Sequence, residues 1–121
     1  ATDVCVPISR LAECILETKQ DIEETRLLAP IVGHVGDGNF HLTIMMDEND
    51  KEEITRVKGL SERLVMRALA MDGTCTGEHG VGYGKIPFLT AEHGEAMSVM
   101  RAMKQALDPQ NIMNPGKVIN L

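Results

Sequence analysis

The stretch Gly33-His34-Val35-Gly36-Asp37-Gly38-Asn39-Phe40-His41-Leu42 constrains the fold more than any other part of the chain. Asp-Gly is a strong hairpin signal, because a two-residue type I′ loop needs φ > 0 at both central positions and Asp-Gly accepts that. With Asp37 and Gly38 as the loop, Val35 faces Phe40, Gly33 faces Leu42 and Ile31 faces Ile44, all apolar or Gly. The opposite face pairs His34 with His41 and Val32 with Thr43. Directly opposed residues have Cβ atoms ~5 Å apart, so this register sets two imidazoles side by side. If both were protonated they would repel. A shared divalent cation resolves that, and neutral His is the commonest metal ligand. A loop-capping His beside a solvated one is the alternative these residues leave open.

A second stretch, Gly73-Thr74-Cys75-Thr76-Gly77-Glu78-His79-Gly80-Val81-Gly82-Tyr83-Gly84-Lys85, has five glycines in thirteen residues. That freedom lets backbone approach a ligand closely or turn sharply. Glu78 would complete a His-His-Glu set with a position left open for substrate or water, as catalytic metals need. The adjacent His79 points differently and could act as a base. A flexible loop with two solvated polar residues is the other reading.

Taken in order, Val4, Val6 and Ile8 alternate as a short strand, with Pro7 near its edge or end. Ser9 is a good N-cap for a helix from Arg10 to about Leu28, striped by Leu11, Ile15, Thr18 and Ile22. The hairpin occupies 31–47. Asp50 and Glu53 suggest a capping box for a second helix. That helix runs to about Met71 with Ile54, Val57, Ser61, Leu64, Ala68 and Met71 on one face, and Asp72-Gly73 ends it. Thr74–Thr76 reads as a fourth strand that delivers Glu78 and His79. Thr90 caps a third helix through about Leu107, with Ala96, Met100, Met103 and Leu107 packing inward and His93 solvated in its first turn. Asn114-Pro115-Gly116 is a turn, and Lys117 to Ile119 a short extended end. This order predicts an α+β fold, a mostly antiparallel sheet with helices packed on one face. The other face carries the His pair and needs a cover.

With two Phe, one Tyr and no Trp, the core must be aliphatic, its gaps filled by eight Met. A net charge of −6 argues against nucleic acid as a partner. No apolar run approaches the ~20 residues of a membrane span. Cys5, Cys14 and Cys75 are an odd number without CxxC spacing, so they read as reduced, mostly buried thiols of a reducing compartment. Cytoplasmic placement, free or peripheral to the inner membrane, is expected. The chain opens on Ala1-Thr2-Asp3 without an initiator Met, as a fragment or processed chain would.

GHVGDGNFHL, then GTCTGEHGVGYGK, then LDPQNIMNPGKV resemble, in that order, the C-terminal part of the FAD-linked oxidases of the vanillyl-alcohol oxidase superfamily. The resemblance is nearest to the D-lactate dehydrogenase (cytochrome) and glycolate oxidase flavin subunit group, and covers the chain from Asp3 onward. It implies a ferredoxin-like cap-domain fragment over residues 1–121, ending in the flavin-proximal NPGK segment, with the FAD-binding domain lying outside these residues. It implies that His34, His41 and Glu78 hold a divalent metal (Zn, Mn or Fe) and that His79 is the general base. Asn39 and Thr43, beside the His pair, could each touch a small 2-hydroxy acid substrate or orient a ligand, with hairpin structure an equal account of Asn39. Asn114 and Lys117 match the NPGK motif that in the family lies near the FAD. The activity implied is flavin-dependent oxidation of a D-2-hydroxy acid to a 2-oxo acid, with the isolated fragment inactive. Arg10 sits in a different context from the family's carboxylate-binding arginine and inherits no role. Two other classes stand beside this one. A stand-alone metal-binding or dimerising module would lack redox chemistry, and the uncovered sheet face predicts self-association in either case. A metal hydrolase would need a closed pocket that so few aromatic and Arg residues hardly supply.

Overall fold

The computed structural model describes residues 1–121, which divide into two compact units, Ala1–His79 and Gly80–Leu121. The first unit contains β1 (Val4–Cys5), α1 (Ile8–Thr25), β2 (Ile31–His34), β3 (Asn39–Leu42) and α2 (Lys51–Ala70). Its three strands form an antiparallel sheet in the order β1-β3-β2, giving the expected α+β fold.

β1 stops at Cys5 rather than reaching Ile8, since Pro7 has no N–H for a ladder. The strand expected over 74–76 is reduced to an isolated bridge between Cys5 and Thr74. α1 starts at Ile8, so Ser9 lies inside it rather than capping it. It ends at Thr25, before Leu28, because Arg26 turns left-handed (φ 54°). Leu28 instead bridges Met45.

The hairpin differs from expectation in its loop. Val35–Asp37 make a 3₁₀ turn, closed by the Gly38 N–H donating to the Val35 carbonyl at 3.3 Å. Asp37 keeps φ < 0 and only Gly38 is left-handed, at φ 75°. The connection between His34 and Asn39 thus holds four residues, not two. The pairs are Ile31 with Leu42, Val32 with His41, Gly33 with Phe40 and His34 with Asn39. They replace the expected pairings of Val35–Phe40, Gly33–Leu42, Ile31–Ile44, His34–His41 and Val32–Thr43. The physical reason is a contact outside the hairpin: the Gly38 carbonyl accepts the Val6 N–H at 3.0 Å, tying the loop to the end of β1. A Cβ on Gly38 would lie 2.0 Å from the Val6 carbonyl oxygen. The shift is by two residues, an even number, so every side chain keeps its face. His34 and His41 are diagonal neighbours rather than opposed ones.

Phe40 and Leu42 are fully buried, as are Val4, Cys14, Leu60, Leu64 and Ala68 of β1 and the two helices. Asn39 and His41 alternate with them and so face the other way. Asp50 caps α2 by accepting the N–H groups of Glu52 and Glu53 at 2.9 and 3.1 Å. Glu53 does not return the favour, as a capping box requires, but accepts the Asp47 N–H at 2.6 Å. Asp21 of α1 receives Arg63 and Arg67 of α2, at 2.6 and 3.0 Å.

The second unit contains α3 (Ile86–His93) and α4 (Ala96–Leu107), where one helix from Thr90 was expected. Gly94, at φ 52°, makes the break. His93 therefore closes α3 instead of opening a helix, with Nε2 3.8 Å from Glu92. Met97 is buried, whereas Met103 and Leu107, expected inward, are 59% and 74% exposed. Asn114–Gly116 is a turn, its Asn114 carbonyl accepting the Lys117 N–H at 3.2 Å. Residues 117–119 form no strand.

Candidate metal centre

His34 ends β2 and His41 lies inside β3, on the sheet face opposite Phe40 and Leu42. The segment Thr76-Gly77-Glu78-His79 reaches that face from the end of α2. Glu78 Oε1 lies 2.9 Å from His41 Nε2, 3.5 Å from His34 Nε2 and 3.9 Å from His79 Nε2. The His79 ring stacks on His41, with centroids 4.8 Å apart and planes 7° from parallel. The His34 ring meets His41 edge-on at 6.2 Å. All four side chains singled out from the sequence converge on one point.

The donor set fits a divalent cation. His41 is buried, and its Nδ1 lies 3.1 Å from the Thr2 carbonyl oxygen. A carbonyl only accepts, so Nδ1 carries the proton. A neutral His41 then turns a bare lone pair at Nε2 toward a carboxylate oxygen 2.9 Å away. Two acceptors in contact call for positive charge, either on the imidazole or on an ion held between them. Ligands about 2.0–2.1 Å from a tetrahedral ion lie about 3.3 Å apart, and the two Glu78 separations of 2.9 and 3.5 Å bracket that value. One donor atom from each of His34, His41 and Glu78 lies within 4.8 Å of the others. A metal-bound His ordinarily gives its other N–H to a carbonyl or carboxylate, as His41 does here. Two nitrogens and an oxygen suit zinc, manganese or ferrous iron.

Asp3 is the residue that the sequence reading missed. It is 1% exposed. Its Oδ2 accepts the Thr76 hydroxyl at 2.9 Å and the backbone N–H groups of Glu78 and His79 at 3.0 Å each. Its Oδ1 accepts Asn39 Nδ2 at 2.8 Å. Burial alone would raise its pKa, but the His79 N–H, the Asn39 amide, the Glu78 N–H and the Thr76 hydroxyl hold it well below the usual carboxylate range. A second possible ligand set joins Asp3 with His41 and His79. With its oxygens already engaged by these donors, Asp3 is the poorer ligand. The signal for it was faint: Asp is depleted in strands, so one at the head of an apolar run needs partners.

Asn39 is also buried. Its amide donates to Asp3 Oδ1 and to the Val4 carbonyl, both at 2.8 Å, and its Oδ1 is buried without a partner. It therefore points into the fold. Thr43 follows β3 and is exposed, its N–H bonded to the Pro30 carbonyl at 3.0 Å. Asn114 and Lys117 belong to the second unit, where with Lys104 they line a groove of about 350 Å³. Lys117 Nζ lies 5.1 Å from the centre of the Tyr83 ring. Cys5, Cys14 and Cys75 form no disulfide, and Cys14 and Cys75 are buried. Burial, with the charges of Asp3 and Asp37, pushes the Cys5 thiol up, and burial raises Cys14 as well. Thiols so shifted stay protonated, which suits packing better than reactivity.

Fold and side chains together define an α+β domain bearing a candidate His-His-Glu centre flanked by a further histidine. Residues 1–118 match the family described as "FAD linked oxidases, C-terminal domain", and the chain belongs to that family. It is 58% identical over 122 residues to the Danio rerio protein named "Probable D-lactate dehydrogenase, mitochondrial", covering 100% of this chain and 24% of that protein. The Arabidopsis thaliana "D-lactate dehydrogenase [cytochrome], mitochondrial" is 50% identical over 119 residues, 98% of this chain and 21% of its own. The "Glycolate oxidase subunit GlcD" of Bacillus subtilis is 38% identical over 117 residues, 96% of this chain and 25% of its own. The chain thus spans about a quarter or less of the length of these relatives. No helix is long and apolar enough to cross a membrane.

Proposed function

We propose that residues 1–121 are the C-terminal part of the substrate domain of a flavin-dependent D-2-hydroxy acid dehydrogenase of the D-lactate or glycolate class. The relatives' names support the substrate class. One observation carries the site: Glu78 Oε1 placed between the Nε2 atoms of His34 and His41, with His41 Nδ1 turned to a carbonyl. His34, His41 and Glu78 would hold the divalent metal, which as a Lewis acid would lower the pKa of the substrate hydroxyl. FAD, the cofactor of the family, would supply the hydride acceptor.

The chain's own residues do the rest. Thr2 fixes the His41 tautomer, so that Nε2 faces the ligand point. His34 and Glu78, at 62% and 48% side-chain exposure, leave that point accessible from outside. His79, 47% exposed and stacked on His41, is held beside it as the base that takes the hydroxyl proton. Thr43, by alternation on the His41 side of β3, would be the substrate contact. Asn39 is committed to Asp3 and Val4, so its contribution to substrate binding would be indirect. Asn114 and Lys117 are assigned to the flavin as the NPGK segment of the family. Cytoplasmic placement finds no support in the relatives' names, two of which say mitochondrial.

A metal-binding module without redox chemistry is the second reading. Its favouring observation is that the ligand cluster lies wholly within Ala1–His79 and borrows nothing from elsewhere. Self-association through this face is expected on either reading: Val32, on the ligand face of edge strand β2, is 56% exposed. Replacing His79 by Asn in the flavoprotein separates the two. The dehydrogenase reading expects turnover of D-lactate or glycolate to fall at least ~100-fold, within the range for a lost general base, with FAD still bound. Unchanged turnover contradicts it.

A further inference from the structure

We infer that Asp3 is a positioning residue for the candidate metal centre: its buried carboxylate holds the Glu78-His79 segment against His41. The inference rests on the metal reading of that site only for its functional consequence. The anchoring itself stands on contacts within the chain.

Glu78 and His79 lie beyond α2 on a segment that has no strand or helix of its own. Nothing in the local sequence tells that segment where to lie. Three of its groups end on one oxygen: the Thr76 hydroxyl and the N–H groups of Glu78 and His79 all point to Asp3 Oδ2, at 2.9, 3.0 and 3.0 Å. Successive N–H groups turned toward one carboxylate make an anion-binding nest. The Asp3 side of the arrangement is itself fixed. β1 begins at the next residue, Val4, paired with Phe40. Asn39, beside Phe40 in β3, donates to Asp3 Oδ1 and to the Val4 carbonyl. The approach is so close that a Cβ on Gly77 would lie 2.0 Å from Asn39 Nδ2. His41 Nδ1, bonded to the Thr2 carbonyl, is also 3.5 Å from Asp3 Oδ1. One carboxylate thus holds the backbone that carries the third ligand and the base, beside an imidazole that Thr2 fixes.

Charge-assisted hydrogen bonds to buried carboxylates are the strong ones. Asn has Asp's shape, but its amide offers only one acceptor oxygen, so donors gathered by both carboxylate oxygens cannot all be kept. In the metal-free protein, Asp3→Asn should speed amide hydrogen exchange at Glu78 and His79 by about 10-fold or more, the loss of charge-assisted hydrogen bonds. Exchange in the middle of α2 should stay unchanged, which a general loss of stability would not permit. Titration with Zn²⁺ alone should show affinity weakened about 10–100-fold, as for outer partners of metal ligands. The visible band of the Co²⁺-loaded protein should change shape. Unchanged exchange at Glu78 and His79 overturns the inference, whatever zinc does. If the unaltered protein takes no Zn²⁺ while Asp3→Asn still loosens the segment, the metal reading fails and the anchoring stands. Should Asp3→Asn not fold, Thr76→Val decides: it deletes one donor, faster exchange at Glu78 and His79 is expected, and unchanged exchange overturns the inference.

Discussion

His41 is the residue on which the site turns. It is 10% exposed, fixed at Nδ1 by Thr2 and in contact at Nε2 with Glu78. His34 is 62% exposed and held by fewer neighbours. Replacing His41 by Ala should therefore weaken Zn²⁺ binding more than replacing His34 by Ala. The measurement is a competition titration against a coloured chelator, and equal losses would mean that burial of His41 adds nothing. At this scale much was legible. His34 and His41 could be set on one face because parity along a strand survives an error of two residues in register, and Glu78 and His79 stood out in the glycine-rich stretch 73–85. Asp3 was not legible, since its partners at 39, 76, 78 and 79 are brought to it only by the folded chain.

Among the elements, α1 and α2 are pinned by Asp21, whose carboxylate takes Arg63 at 2.6 Å and Arg67 at 3.0 Å. Burial tends to raise the Asp21 pKa, but the Arg63 and then the Arg67 guanidinium hold it below its ordinary value. A depressed carboxylate pKa stabilises the fold above the unfolded value of about 3.9, and that contribution fades as pH falls through the folded value. Asp21→Asn should therefore cost about 1–3 kcal/mol at pH 7. The gap between the urea midpoints of the two proteins should narrow below about pH 4; a gap independent of pH would deny the pairing its electrostatic part. In the hairpin, Gly38→Ala would force a side chain to φ 75° and 2.0 Å from the Val6 carbonyl oxygen. The backbone strain alone is about 1–3 kcal/mol, and a thermal melt would read it. The helices and the hairpin were legible from periodicity and the Asp-Gly turn. Where the turn closed was not, because the Val6 N–H that selects the four-residue loop comes from another strand. The break at Gly94 was likewise hidden, since a lone Gly is tolerated inside many helices.

For the molecule as a whole, the family is established and the chain covers about a quarter or less of the relatives named above. The candidate ligands His34, His41 and Glu78 all lie within Ala1–His79. Metal binding should consequently be a property of that unit, while oxidation of a hydroxy acid needs the flavin as well. Removal of the metal from the flavoprotein by a chelator should abolish turnover of D-lactate without releasing FAD, and re-addition of Zn²⁺, Mn²⁺ or Fe²⁺ should identify the ion that restores it. The most direct measurement is anomalous diffraction at the absorption edge of the bound metal. The account predicts one peak about 2.0–2.2 Å from a nitrogen of His34, a nitrogen of His41 and an oxygen of Glu78. A peak bonded instead to Asp3, or no peak within reach of those three side chains in metal-loaded crystals, would contradict it.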